Sequence, residues 1–513
     1  MNRLPAHAMA LPTASALDSP PAVEVSSVGT AWRAVLLAGS LLGGAWLCWP
    51  PLAPLCAHIA LLPLLRLWRD DASPALLAAA SLATMVCAHL LALGYFLFID
   101  PLPALVAIWA QSVIATLPLL VLAVTVQRAS ARRWLWALPA LWAANEQLIA
   151  QLPTMVPMPL GGALAVWPSG IWFYAWTGVL GGTLLLVTSQ IWWVCSPLPT
   201  PVKARRALLG LALLHGLGLG LLLAESSDAA KEPALALVRT GAAPTNTDSP
   251  AWYDQALHLN SQAVRDGAQL LVWPEAMISW RVWQEEEHPL RRALLAHLRA
   301  HAVPLLVGFN AAIDAFTLYN GAALLHPGEE PDTAPAYFKR WLMPYRENTG
   351  LFGLGRGWIR AGAASAALSW TDEHGRQRWL GPLICYEVLI AEAARQQVRA
   401  GAQLLVVLTN DVEFAATPAS WQLRAQAQAR AVESGRDLVR IASIGRLQHI
   451  DAQGRLRLES AGSADYRIVR PAWHSTTTFW VRHGAWLPWL LIALAAALGA
   501  LAAHPPRRRN DSR

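Results

Sequence analysis

Charged residues are scarce in this chain, since Asp, Glu, Lys and Arg make up 14% of its 513 residues while 55% are hydrophobic. Soluble proteins carry about 25% charged residues, so the composition excludes an ordinary soluble protein. The apolar excess is concentrated in residues 31–225 and 484–503, whereas 233–470 has the mixed composition of a globular domain. The sequence therefore predicts a lipid-embedded part and one soluble domain.

The sequence also lacks the common metal and nucleotide motifs: it contains no CxxC, HExxH or Walker A pattern. Its net charge of +7 does not indicate nucleic-acid binding, because the basic residues cluster at the ends of hydrophobic runs and form no stripe along the globular part. We therefore predict no metal, no cofactor and no nucleic-acid partner.

Cysteine is nearly absent from the globular part. Four cysteines lie in or beside hydrophobic runs, where a small buried apolar residue is the ordinary interpretation: Cys48, Cys56, Cys87 and Cys195. Cys385 is the one cysteine of residues 233–470, so it cannot form a disulfide within that region. A free thiol is unusual in an oxidising compartment unless it has a function. Cys385 is therefore a candidate nucleophile.

Long apolar runs predict about eight membrane-spanning helices, since each crossing needs about 20 apolar residues. The candidate runs are 32–49, 52–66, 74–98, 102–126, 134–150, 171–194, 207–224 and 484–503. The short connections at 49–51, 99–101 and 151–165 contain no Lys or Arg, whereas the alternate connections and the C-terminal tail are basic. This positive-inside pattern predicts cytoplasmic termini and places 226–483 on the opposite side of the membrane.

The remaining membrane-region features lead to smaller expectations. Residues 1–30, rich in Ala, Pro and Ser, are predicted to be a disordered cytoplasmic arm, and 504–513 a basic cytoplasmic tail. A cleaved signal peptide is the alternative for 31–49, although the strong later runs favour an uncleaved anchor. The glycine-rich stretches 39–44 and 210–220 predict close helix packing.

The globular part alternates short apolar runs with helical stretches, which is typical of a layered α/β domain. The predicted strands are 234–240, 269–275, 304–310, 321–327, 379–387 and 403–411, and the predicted helices are 253–265, 287–302, 389–400 and 418–435. Three strands end in Glu275, Cys385 and Asn410–Asp411. Strand ends commonly aim catalytic groups into a cleft.

These residue types suit thiol chemistry. A buried carboxylate such as Glu275 can act as the base that deprotonates Cys385, although His301 and His449 remain possible bases. Lys339, in the segment AYFKRWLMPYREN, can stabilise a tetrahedral oxyanion.

The motifs WPE (273–275), FKRWLMPYRE (338–347) and ICYE (384–387) resemble those of the carbon–nitrogen hydrolase (nitrilase) superfamily in order and spacing. The wider arrangement of seven spans, this domain and a last span resembles the apolipoprotein N-acyltransferase family of Gram-negative bacteria over nearly all of the chain after residue 30. The resemblance implies an αββα sandwich over 226–475, on the periplasmic side of a polytopic bundle formed by 31–225 and 484–503 in the inner membrane.

The resemblance also implies site roles. Glu275 is expected to be the general base, Lys339 the oxyanion partner and Cys385 the nucleophile. Glu347 matches a second essential acid of the family, and Tyr386 and Glu387 match the residues after its cysteine. Three further residues are expected to have supporting or substrate-shaping roles: Trp252, matched only weakly because its spacing to the base differs, Asn410, and Glu146 near the outer end of the fifth span. Apart from the resemblance, the apolar segment Gly350–Trp358 suits either a lid or interfacial arm over the site or an ordinary surface loop.

The chain departs from the family at the walls of the expected site. The family's Asn-Asp-x-Trp-Phe stretch reads Asn410-Asp411-Val412-Glu413-Phe414 here, and a later Thr-Asn-x-Gly-like segment reads Ala442-Ser443-Ile444-Gly445. An early Gln-Gly segment is replaced by Arg239-Thr240-Gly241. These changes leave the identity of the substrate undecided, although the three expected catalytic residues are present.

Three functional hypotheses follow. The first is a phospholipid:apolipoprotein N-acyltransferase, with a phospholipid acyl donor and a diacylglyceryl-cysteine lipoprotein acceptor. The second is a membrane-tethered amidase or acyltransferase of the same superfamily with another substrate, as in proteins encoded with conjugal-transfer systems. The third is a scaffold that retains an inactive domain, which the intact Glu275, Lys339 and Cys385 argue against.

Overall fold

The first half of the chain is helical in this computed structural model, which describes residues 22–69, 73–125, 134–224, 232–241, 249–314, 316–355 and 357–503. The helices are α1 (Ala22–Trp46), α2 (Leu52–Ile59), α3 (Leu62–Arg69), α4 (Pro74–Leu93), α5 (Pro101–Thr125), α6 (Leu138–Gln151), α7 (Tyr174–Thr177), α8 (Val179–Cys195) and α9 (Thr200–Ala224). Every apolar run predicted as a span in this half coincides with one or two of these helices.

Four segments of the described chain are long and apolar enough to cross a membrane: Leu52–Arg69, Pro74–Phe98, Pro101–Val124 and Thr200–Ala224. Val179–Cys195 and Leu487–Leu501 are apolar but shorter. Large hydrophobic side chains are exposed along these helices, as at Trp109 and Leu213, which suits contact with lipid. The apolar helices therefore agree with a membrane-embedded protein, while the count of eight crossings and their direction remain predictions.

Two expectations for the helical half are corrected. Helix α1 begins at Ala22, so the disordered arm is wrong for residues 22–30; residues 1–21 and the tail 504–513 lie outside the described residues. Close packing holds at Gly39, where a Cβ would lie 2.7 Å from the Cβ of Cys87 on α4. It fails at Gly210, which has no neighbouring atom within 4 Å of an added Cβ.

The globular part has twelve strands: β1 (Leu235–Thr240), β2 (Leu270–Val272), β3 (Leu305–Ala312), β4 (Leu318–Leu325), β5 (Ala336–Phe338), β6 (Leu368–Thr371), β7 (Gln377–Ile384), β8 (Leu404–Thr409), β9 (Leu438–Ala442), β10 (Gly445–Ile450), β11 (Leu456–Gly462) and β12 (Ala464–Val469). Its helices are α10 (Pro250–Arg265), α11 (Trp280–Gln284), α12 (Pro289–His301), α13 (Ala391–Arg399) and α14 (Ala419–Ser434), and α15 (Phe479–His483) and α16 (Leu487–Ala503) follow the last strand.

The strands form two six-stranded sheets, ordered β12-β1-β2-β3-β4-β5 and β11-β10-β9-β8-β7-β6. Apolar side chains such as Val272 and Leu408 fill the space between the sheets. Helices α10 and α12 cover the outer face of the first sheet, and α13 and α14 cover that of the second. The predicted αββα sandwich is thereby confirmed, and each predicted strand and helix is present.

The sandwich rests on the membrane bundle through α14, which is buried along almost its whole length. One face of α14 packs with the second sheet and the other joins the core of the bundle through Ala425 and Ala429. The Gln422 amide donates to the carbonyls of Trp46 and Ala92, at 3.2 and 2.8 Å. Because the second sheet packs on one face of α14 and the membrane bundle on the other, this helix is buried although it contains many Gln and Arg residues.

A buried carboxylate, that of Asp437 before β9, ties the second sheet to the segment that leads to the last helix. Its oxygens lie 2.8 Å from His449 Nε2 and 3.0 Å from His474 Nε2, and they accept from the backbone N–H groups of Ala452 and Ala472. Although burial opposes ionisation, these hydrogen bonds lower the pKa of Asp437 below its ordinary value. Asp437 therefore stabilises the fold as an anion.

We expect Asp437→Asn to lower the free energy of unfolding by about 3 kcal/mol, the order expected when a buried carboxylate loses charge-assisted hydrogen bonds. Because the folded pKa is depressed, this contribution is complete above the unfolded value of about 3.9 and disappears as the pH falls towards the folded one. The stability difference between wild type and variant, measured by thermal unfolding in detergent, should therefore shrink below about pH 4.

The exposed carboxylate of Asp314 provides the matched control. Asp314→Asn should leave the free energy of unfolding close to that of wild type. Equal effects of the two substitutions at neutral pH would contradict the role given to Asp437.

Candidate active site

Glu275 lies just beyond the end of β2, in a loop whose path depends on a neighbouring glycine. A Cβ at Gly308 would lie 2.5 Å from the Glu275 Cα and 2.4 Å from the Pro274 carbonyl oxygen, so a larger residue there would displace the loop. The Glu275 side chain is buried, and its two oxygens accept from Asn320 Nδ2 at 2.8 Å and from the Asn410 backbone N–H at 2.9 Å. Burial raises its pKa, against the opposing effect of Lys339.

Lys339 follows β5 and is 1% exposed, between two carboxylates. Its Nζ lies 2.8 Å from Glu347 Oε1 and 3.4 Å from Glu275 Oε1. Burial alone would lower its pKa, but the two carboxylates together raise the pKa above the ordinary lysine value. Lys339 is therefore a fixed cation, and the predicted neighbours Glu275, Lys339 and Glu347 do meet.

Cys385 follows β7 and begins a 3₁₀ turn, Cys385–Leu389, with φ of 50°. This left-handed backbone is unusual for a residue with a side chain, and such conformations cluster at functional sites. The thiol pKa is raised well above its ordinary value by burial and by the Glu275 charge, while Lys339 acts in the opposite direction. The thiol is thus protonated at rest and needs a base.

Glu387 joins the cysteine turn to the lysine loop. This fully buried carboxylate accepts from the backbone N–H groups of Ile384 at 2.7 Å and Arg340 at 2.8 Å, and from Tyr337 OH at 2.6 Å. Tyr386 points the other way, donating its hydroxyl to the Met155 carbonyl in the membrane half at 2.9 Å. Both residues after the cysteine therefore hold the site in place.

Asn410 and Trp252 have different surroundings. Asn410 touches the site through its N–H bond to Glu275, and its side-chain oxygen accepts from Ser443 Oγ at 2.9 Å. Trp252 is buried on the helix side of the first sheet, with its ring 5.8 Å from that of Trp273. The structure therefore brings Asn410, but not Trp252, to the cluster around Glu275.

Cys385 opens into an apolar cavity of about 60 Å³. The membrane half contributes Trp46, Cys48, Tyr95, Phe96, Val156, Pro157, Met158 and Pro159 to its wall; the sandwich contributes Met343, Tyr386, Leu389, Phe414, Ala419, Gln422, Leu423 and Gln426. The thiol thus faces a hydrophobic space that neither half of the protein builds alone.

An ion-pair cluster that the sequence did not reveal joins the two halves beside this cavity. Arg346 Nη1 lies 3.1 Å from Oδ2 of Asp100, the residue before α5, and Arg346 Nη2 contacts Glu413. Glu413 occupies the position of the family's expected Trp, so this departure creates an ion pair. Arg346 is the residue before Glu347, which pairs with Lys339. The Arg346 guanidinium therefore connects the lysine loop to the loop after β8, through Glu413, and to the membrane half, through Asp100.

Asn320, the shared donor to Glu275 and Glu347, was also missed. An Asn inside a strand carries no sequence signal. Glu146 lies apart from the cysteine and accepts from Trp142, Leu160 and Thr183, which holds the turn Leu160–Val166 against the bundle. Among the described residues, no group of three or more His, Cys, Asp or Glu side chains is arranged to hold a metal ion.

The two facing sheets, each covered by helices, define the class of fold as an αββα sandwich. Residues 235–493 match the carbon–nitrogen hydrolase family. The chain belongs to that family.

Curated relatives extend the similarity into the membrane half. The apolipoprotein N-acyltransferase of Chlorobaculum tepidum is 24% identical over 91% of this chain and 96% of its own length. That of Nitrosomonas europaea is 28% identical over 74% and 77%. A solved amidase of the nitrilase superfamily from Nesterenkonia is 20% identical, with a TM-score of 0.38, over 50% of this chain and 97% of its own.

Substitutions of the two charged neighbours should change the reactivity of Cys385 in opposite directions. At about pH 8.5, near the ordinary thiol value, we expect Glu275→Gln to speed alkylation of Cys385 by iodoacetamide several-fold. Lys339→Met should slow it about tenfold, the effect of one pKa unit. Mass spectrometry of the Cys385 peptide after timed labelling of the full-length protein measures both rates.

Glu413→Gln is the control. It removes a carboxylate that lies next to the cavity but is not among the charges that shift the pKa of the Cys385 thiol. Its alkylation rate should stay within about twofold of wild type. A change of the same sign in Glu275→Gln and Lys339→Met would show that electrostatics do not control the thiol.

Proposed function

We propose that this protein is a phospholipid:apolipoprotein N-acyltransferase that moves an acyl chain through a thioester on Cys385. One observation carries the proposal: the Cys385 thiol, whose pKa responds to the charges of the buried Glu275–Lys339 pair, opens into an apolar cavity that membrane helices half build. A thiol nucleophile with lipid-lined access suits an acyl donor that never leaves the membrane. The similarity to N-acyltransferases over most of the chain supports it.

In the first half-reaction Glu275 accepts the thiol proton, and the Cys385 sulfur attacks the carbonyl carbon of a phospholipid ester. Lys339, together with the backbone N–H after the cysteine, stabilises the tetrahedral oxyanion. When the C–O bond of the ester breaks, Glu275 returns the proton to the departing alkoxide. The products are a lysophospholipid and an acyl-thioester on the enzyme.

In the second half-reaction the free α-amine of a diacylglyceryl-cysteine attacks the thioester carbonyl. Glu275 accepts the proton lost by the amine, the C–S bond breaks, and that proton returns to the Cys385 sulfur. The product is an N-acylated lipoprotein and the resting enzyme. Because the donor leaves before the acceptor reacts, ping-pong kinetics are expected.

The neighbouring residues have supporting roles in this scheme. Glu347 fixes the Lys339 ammonium, Asn410 orients the base through its N–H, and Glu387 holds the cysteine turn against the lysine loop. Tyr386 ties that turn to the membrane half. Trp252 would act only indirectly, by packing behind Trp273.

The charge pattern supports a location in the bacterial inner membrane. Residues 31–225 and 484–503 would form its multi-pass part, with the domain of 226–475 on the periplasmic side. In that arrangement the cavity at Cys385 faces the outer leaflet, where both lipid-anchored substrates lie.

A second candidate keeps the thiol chemistry and changes the substrate. The Arg346–Glu413 ion pair stands where the family's Trp is expected, so the acceptor side of the site has different polarity. A membrane-tethered amidase or acyltransferase with another acceptor fits this departure.

Mass spectrometry of the purified protein incubated with phospholipid tests the proposal directly. We expect an acyl adduct on the Cys385 peptide of wild type, and none in Cys385→Ala. Glu275→Gln and Lys339→Met should form the adduct at least about 100-fold more slowly, since each removes a base or an oxyanion partner. Cys195→Ala serves as the matched control and should acylate at the wild-type rate.

Formation of the acyl adduct in Cys385→Ala would contradict the proposed thioester on Cys385. Complementation separates the two candidates: rescue of a strain depleted of its own N-acyltransferase supports the lipoprotein acceptor. A normal adduct on Cys385 without rescue, despite good expression, points to the second candidate.

A further inference from the structure

A second large cavity lies within the membrane half, away from Cys385. It has a volume of about 1140 Å³, is open towards its surroundings, and lies between α8, α9 and α16. Its walls are largely apolar and include Trp192, Trp193, Arg206, Gly210, Leu214 and Leu494. We call it the α9 groove.

Helix α9 stands away from the bundle and is attached near its two ends. Towards its C-terminus, Gly218 packs directly on the Ser169 carbonyl and His215 Nδ1 lies 2.9 Å from Ser169 Oγ. Towards its N-terminus, Lys203 Nζ donates to the Trp193 carbonyl at 2.9 Å. Between these attachments the helix leaves a gap, so something else must fill it in a bilayer.

The chemistry of the α9 groove changes along its length. Arg206 is the first residue of α9 to line the groove, and Trp192 and Trp193 line it from the end of α8. Leucines of α9 and α16 form much of the remaining wall, with His58 and Gln190 among its few polar members. No carboxylate lines the groove in the part of the chain that the structure describes. A Trp and Arg cluster above an apolar slot is the pattern of a membrane interface, and basic pockets between membrane helices bind acidic lipid headgroups.

The length of the α9 groove is close to the thickness of one leaflet of the hydrocarbon core. From Arg206 to Leu214 the groove follows α9 for about 12 Å at 1.5 Å per residue, and half of the hydrocarbon core is about 15 Å thick. The positive-inside pattern predicts that the Arg206 end lies at the cytoplasmic interface. A guanidinium at a membrane interface requires an anionic partner or water, and a lipid phosphate meets that need.

We propose that the α9 groove binds one anionic glycerophospholipid of the cytoplasmic leaflet, with its phosphate on Arg206 and its acyl chains between α9 and α16. This lipid is distinct from the acyl donor proposed above, because the groove and the Cys385 cavity share no lining residue. It fills the gap and holds α9, the helix that leads into the catalytic domain, against the bundle.

Native mass spectrometry of the full-length protein, released from vesicles of mixed phosphatylglycerol and phosphatidylethanolamine into mild detergent, tests this proposal. Wild type should retain about one phosphatidylglycerol. Arg206→Gln should retain it about tenfold less, and so should Gly210→Leu, whose side chain would enter open space in the groove.

Two neighbours on the same helix provide matched controls. Arg205→Gln removes the same charge and Gly216→Leu adds the same side chain into open space, but neither residue lines the groove. Both should retain the lipid as wild type does.

Several outcomes would overturn the proposal. Equal loss of phosphatidylglycerol in Arg206→Gln and Arg205→Gln would show that general surface charge, not the groove, binds the lipid. Equal retention of phosphatidylglycerol and phosphatidylethanolamine would show that the groove does not select an anionic headgroup. A dimer that Gly210→Leu dissociates would assign the groove to a second copy. Cys385→Ala should keep the lipid, so a failure of the proposed acyl transfer leaves this result unaffected.

Discussion

A buried lysine held between two carboxylates is the constraint on which the site depends. Taking Lys339 out of water is costly unless opposite charges surround it, and Glu275 and Glu347 supply those charges at 3.4 and 2.8 Å. Asn320 then bridges the carboxylates. Because the cluster is satisfied only as a whole, the loops after β2 and β5 must stay together, and the geometry presented to the Cys385 thiol is set before any substrate arrives.

The second constraint is the contact between the sandwich and the membrane bundle. Helix α14 is buried on one side by the second sheet and on the other by membrane helices, and the Tyr386 hydroxyl reaches the Met155 carbonyl directly from the residue after the cysteine. A displacement of the bundle would therefore move the cysteine turn. The same contact builds the apolar cavity at Cys385, which needs residues from both halves of the chain.

Composition and periodicity were sufficient for an apolar helical half and a layered α/β domain, since low charge, long apolar runs and alternating strand and helix patterns each depend on neighbours close in sequence. The αββα arrangement was expected from the resemblance of the motifs to a known superfamily. Composition and periodicity also placed Glu275, Cys385 and Asn410 at strand ends. Six strands were missed, β5, β6 and β9 to β12, because short or charge-containing strands such as β11 (LRLESAG) lack the apolar run that identifies a buried strand. The start of α1 was missed because Ala- and Ser-rich sequence suits both a helix and a disordered arm.

What the sequence by itself determined is the set of reactive groups, the class of fold and the division between lipid and water, because these follow from residue type and local pattern. Only the tertiary structure decided which groups meet. Asn320 and Arg346 gave no local signal, Trp252 turned out to lie behind the sheet, and the gap beside α9 was invisible in a glycine-rich run that predicted close packing. Contacts between residues far apart along the chain depend on how whole elements pack, and no local pattern records that packing.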